Sequence, residues 1–138
     1  VIKRPGFHGQ PSITNVGGDY WVVANRLVYI DLSGFEYELP EGAPTDGASS
    51  RLFNGHLNLL PSHAQNSPPS WLHDWHYRKG FVYRDNVAFK PIMRIDADKL
   101  FQEGLILSGV GRWTAWKAYM GVRMFGRIPW NSYRKHEA

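Results

Sequence analysis

Apolar residues fall in short β-favouring runs over the first forty positions and recur at helical spacing after position 70, so the chain changes character along its length. The runs at 20–24, 27–31 and 35–39 are rich in Val, Tyr and Ile and are separated by Asn25-Arg26 and Ser33-Gly34. Branched and aromatic side chains suit a pleated, half-buried surface, so these runs predict two linked hairpins, a small antiparallel β-meander. The stretch 41–69 is rich in Pro, Gly, Ser and Asn, and a loop of that length in a compact domain is commonly a functional one.

Three helices are expected afterwards. The first runs over 70–79, entered through Pro68-Pro69 and stopped by Gly80. The second covers 95–108 and ends at Gly109, and the third starts at Arg112 and stops at Gly126, with Pro129 beyond it. Residues 81–93 read as an irregular or hairpin-like excursion. Strands first and helices afterwards predict an α+β fold in a single domain over 1–138: β-rich over 1–40, a functional-loop candidate over 41–69, and helical over 70–138.

At 138 residues the chain is near the usual size of one domain. It has no cysteine, which removes disulfides, thiolate zinc sites and cysteine nucleophiles. Any chemistry then falls to His, Asp, Glu, Ser or Tyr. No window offers the roughly 20 apolar residues of a spanning helix, and Val1-Ile2-Lys3-Arg4-Pro5-Gly6 lacks the apolar run of a secretory signal, so neither a transmembrane segment nor a signal peptide is expected.

On the first predicted helix, Trp71, Leu72 and Trp75 share one side, while His73 and Tyr77 project roughly opposite with Asp74 at their edge. This separates a core-facing surface from a His/Asp/Tyr surface, which is either a site on a rigid helix or the wet face of an amphipathic one. On the second helix Ala97, Leu100, Phe101, Gly104 and Leu105 form an apolar stripe, and Asp98 lies in the same row. A carboxylate on a core-facing row needs a partner. His73 is one candidate, since a carboxylate on one imidazole nitrogen fixes the tautomer and leaves the other as a base. Arg94, four residues earlier, is another. Asp46, in the long loop, adds a hard oxygen, and with Asp74, Asp98 and His73 it resembles the mixed shell of a divalent cation such as calcium, magnesium or zinc. His73, Asp98 and Tyr77 are thus the catalytic candidates and Asp74 and Asp46 the candidate metal ligands, with no organic cofactor expected.

Net charge is +4, and it is unevenly placed: residues 1–70 carry 4 Lys and Arg against 6 Asp and Glu, residues 71–138 carry 12 against 6. On the third helix Arg112, Trp116, Tyr119 and Arg123 lie along one seam. Arginine beside aromatic rings suits nucleic acid, anionic lipid or a partner protein. The alternative is a helix packed on more than one face.

Three ordered motifs carry a family resemblance: Thr45-Asp46-Gly47-Ala48-Ser49, His73-Asp74-Trp75-His76-Tyr77 and Ala97-Asp98-Lys99-Leu100-Phe101, followed by Val122-Arg123-Met124-Phe125-Gly126. The chain resembles a family of small proteins of unknown function, encoded mainly by bacteriophages and prophages, patterned TDxAS, HDxxY, ADxxF. That resemblance implies a viral origin, a place in the virion or the host cytoplasm, and other virion proteins as partners. The HDxxY run is also similar to the catalytic helix of secreted phospholipases A2, which would make His73 the base, Asp74 a calcium ligand, Asp98 the orienting acid and Tyr77 a supporting group. HD phosphohydrolases share the His-Asp fragment, with His56 or His63 as a further ligand, but their all-helical fold disagrees with the β-rich first half. The expectation is a His/Asp hydrolase acting on a phosphate or acyl ester, with or without the assistance of a divalent cation. A non-catalytic virion or assembly component with a structural polar network, and a basic adaptor for nucleic acid or anionic membrane, stand as the alternatives.

Overall fold

The structure is a computed structural model, and it describes residues 4–18, 20–45 and 67–136. It is an α+β domain in which an antiparallel β-meander precedes four helices. Strands β1 (Gly6–His8), β4 (Leu27–Ile30) and β5 (Glu36–Leu39) form one antiparallel sheet in the order β1-β4-β5, while β2 (Ile13–Gly17) pairs with β3 (Tyr20–Val23). The three strands expected from sequence are all present, but β3 pairs with β2 rather than with β4. In the β4-β5 turn the Asp31 carboxylate accepts the backbone N–H groups of Ser33 and Phe35, both at 2.9 Å. Side chains that compete with the backbone in this way favour turns.

Helix α1 (Pro68–Lys79) begins two residues earlier than expected, because both prolines occupy its first turn, where no amide donor is needed. It ends at Gly80, whose φ of 71° is the left-handed conformation that glycine adopts without strain. Residues 81–91 then form a hairpin, β6 (Phe81–Arg84) with β7 (Val87–Pro91). Its two turn residues, Asp85 and Asn86, have φ of 52° and 64°, the tight connection that matches strand twist.

Helices α2 (Arg94–Leu107) and α3 (Arg112–Phe125) lie close to their expected bounds. The expectation of three helices is corrected by α4 (Arg127–His136). Gly126 is not a left-handed stop: its φ and ψ are −69° and −14°, so the chain stays helical, and Pro129 falls in the first turn of α4. Glycine is needed there for a different reason. A Cβ at 126 would run into the Tyr77 hydroxyl and come within 3.2 Å of Arg94. Helix α4 is fastened to α1 by Arg134, which donates to the carbonyls of Tyr77 (2.7 Å) and Arg78 (2.8 Å) at the end of that helix.

Two apolar clusters result, and α1 lies between them. Trp71, Leu72 and Trp75 pack on Val23, Leu27, Tyr29, Leu39 and Ala43 of the strand layer. On the other side Tyr77 joins Phe101, Leu105, Ala115, Ala118 and Val122 of the helical layer. The face of α1 that carries His73, Asp74 and Tyr77 is therefore buried rather than wet, because the later helices cover it.

Candidate functional site

Asp98 is fully buried at the junction of α1, α2 and α3. Its Oδ1 accepts two hydrogen bonds from α1, from His73 Nε2 at 2.8 Å and from the Tyr77 hydroxyl at 2.6 Å. Its Oδ2 accepts from Arg123 of α3 at 2.8 Å and lies 3.5 Å from Arg94. Burial alone would raise the Asp98 pKa. The hydrogen bonds and charge from His73, with those from Tyr77 and Arg123, outweigh burial and hold it below the usual carboxylate value. The carboxylate is thus ionised and acts only as an acceptor, so His73 Nε2 must carry the proton it shares. In the neutral ring the lone pair is then on Nδ1.

Tyr77 is the donor in its pair. Burial and the adjacent Asp98 charge push its hydroxyl pKa upward, which keeps it protonated. The His73 ring is held between aromatic neighbours, with centroids 4.4 Å from Tyr77 and 4.7 Å from Phe101. Its orientation is fixed by packing as well as by the carboxylate. Both sequence candidates for the Asp98 partner are found together: His73 takes one oxygen while Arg94 flanks the other, and Arg94 also donates to the Val122 carbonyl at 3.1 Å.

Of the two expected metal ligands, Asp74 alone lies among the described residues. The Asp74 Oδ2 accepts from Arg78 at 3.0 Å, one helical turn on. Asp46 lies outside the described residues, as do Gly47, Ala48, Ser49, His56 and His63. Among the described residues no three of His, Cys, Asp and Glu come together to hold a metal ion. Those residues alone do not make a cation site.

The seam of Arg112, Trp116, Tyr119 and Arg123 is not one surface. Arg123 turns inward to Asp98, so the residue expected to meet an external anion neutralises an internal one. Arg123 is the site residue that sequence reasoning missed. It is 25 positions from Asp98, and no helical or strand spacing connects them. His76 was also passed over. It is fully buried beside the Tyr37 ring, and neither ring nitrogen has a hydrogen-bond partner among the described residues. Burial, with the nearby His73, lowers its pKa from 6.5 to about 3.

No described helix is long and apolar enough to cross a membrane. No curated protein and no solved structure matches the chain. The model of one family, described as "Protein of unknown function (DUF1353)", matches residues 21–122, a span that contains His73, Tyr77 and Asp98 and ends next to Arg123. The chain belongs to this DUF1353 family.

Proposed function

We propose that the protein is a hydrolase of phosphate or acyl esters in which His73 is the general base, Asp98 the group that orients it and Tyr77 the support of Asp98. The observation that carries this reading is the single oxygen, Asp98 Oδ1, that accepts from both His73 and Tyr77. One carboxylate fixes the imidazole tautomer and stabilises the imidazolium that forms when Nδ1 takes a proton. In the step itself, water loses a proton to Nδ1 while its oxygen bonds to the carbonyl carbon or phosphorus. The bond to the leaving oxygen breaks, and the proton passes from His73 to that oxygen. A divalent cation would require Asp46 beside Asp74, and no step is routed through one.

The same arrangement agrees with the phospholipase-like roles of His73, Asp98 and Tyr77, whereas Asp74, the calcium ligand of that comparison, is paired with Arg78; the setting we favour is a bacteriophage-type protein. A second reading, a non-catalytic virion or assembly component, has its own support. Arg123 and Arg94 engage the other oxygen, and the His73 side chain is only 4% exposed. There the network is a joint between three helices.

Turnover on phosphodiester, phospholipid and carboxylic ester substrates separates the two. The hydrolase reading expects turnover by the wild-type chain that His73→Gln abolishes while circular dichroism stays native. A folded wild type inactive on all three classes, with substitutions at His73 and Asp98 altering stability alone, favours the joint.

A further inference from the structure

We propose that the outward face of α3 docks on an anionic phospholipid surface. Trp113, Lys117, Met120 and Met124 recur at i, i+4, i+7 and i+11 and so share one side of the helix, with Trp116 beside them. Trp113 is 67% exposed, Met124 66% and Trp116 43%. The opposite side carries Ala115, Ala118 and Val122, which are buried in the helical core. Small residues thus pack inward and large apolar ones face outward, the reverse of an ordinary amphipathic helix. Ile128, in the first turn of α4, is 67% exposed as well.

Charge identifies the occupant. From Arg112 through His136 there is no Asp or Glu, while Lys and Arg occur at six positions. Two of these are spent internally, Arg123 on Asp98 and Arg134 on the end of α1. Arg112 and Lys117 remain beside the apolar side chains on α3, and Arg127 and Lys135 are exposed on the adjoining α4. A cationic rim around Trp and Met suits the boundary between headgroups and acyl chains, where the rings and thioethers enter and the cations meet phosphate. A nucleic acid is the poorer fit. The Trp113 and Trp116 rings stack on each other, centroids 5.1 Å apart at 13°, and Lys117 lies 5.7 Å from the Trp113 centroid. Each ring thus has one face taken by the other, and Lys117 sits by the Trp113 ring, which leaves less π surface for bases to stack on. The proposal is independent of any chemistry at His73, since that residue faces Asp98 on the inner side of the helical layer.

The experiment is flotation of the full chain with vesicles of phosphatidylcholine alone and of phosphatidylcholine mixed with phosphatidylglycerol, from low to physiological salt. The proposal expects binding to the anionic vesicles, weakened by salt. It also expects a loss of affinity of about tenfold or more in Trp113→Ser/Trp116→Ser, with the unfolding midpoint unchanged because both rings are exposed. No flotation with either vesicle, equal binding by the double variant, or binding to single-stranded DNA without binding to vesicles would each overturn it. So would self-association that the same variant abolishes, with no vesicle binding. Turnover is not read in this assay, so its failure leaves the reading of His73 standing.

Discussion

Replacing Asp98 by alanine removes the acceptor shared by α1, α2 and α3, and the cost follows from which donors are left stranded. Arg123 and Arg94 have side chains 27% and 18% exposed, so both can turn partly towards water and lose little. His73 and Tyr77 cannot, since both are buried. An orphaned buried donor costs about 1–3 kcal/mol, and breaking a buried ionic network costs about 3–5 kcal/mol in total, so Asp98→Ala should destabilise by about 3–5 kcal/mol. Tyr77→Phe removes one neutral donor from a charged acceptor and should cost about 1.5–3 kcal/mol. Asp96 is two residues away but exposed in the first turn of α2, so Asp96→Ala should lose only the helix-dipole contribution, about 0.3–1 kcal/mol. Urea unfolding followed by tryptophan fluorescence measures all three, and the m-values should be equal if only stability changes. Equal losses at Asp98 and Asp96 would refute the placement of the carboxylate in the core.

Gly126→Ala forces a Cβ against the Tyr77 hydroxyl and should destabilise by about 1–3 kcal/mol in the same assay; a neutral result would show that the close approach is absent. His76 is neutral when folded because its pKa is lowered from 6.5 to about 3, whereas the unfolded chain binds the proton below its ordinary value. Its contribution is therefore full above about pH 6.5 and lost as pH falls towards 3, by up to about 1.4 kcal/mol per pH unit. His76→Leu should remove that slope from the pH-stability profile, and an unchanged slope would contradict the burial. The Arg78 guanidinium 3.0 Å from Asp74 opposes a second cation, so calcium or magnesium should leave the melting temperature unchanged. A rise that Asp74→Asn abolishes would instead put an ion there.

The sequence made Asp98 conspicuous because it broke an apolar stripe, and a stripe has a period that can be counted. His73 and Tyr77 were equally visible as an i, i+4 pair on one helix. Covering of that pair was not, since it depends on α2 and α4 packing over α1. Gly126 shows why the fourth helix escaped notice. A glycine before a proline reads as a stop, yet here it makes room for a tyrosine hydroxyl from another element. Strands β1 and β2 lie in a Gly- and Pro-containing segment with little alternation, and they are held by pairing with β4 and β3. Arg123 looked like surface charge because its partner is distant in sequence.

Asp98 holds His73 with the proton on Nε2 and the basic lone pair on Nδ1. Nitrogen-15 NMR of the histidine side chains, assigned with His73→Gln and recorded in alkaline buffer, reads this directly. His73 should show the Nε2–H tautomer in the wild-type chain and lose it in a folded Asp98→Asn variant. A His73 ring protonated on Nδ1, or exchanging freely between tautomers, would contradict it.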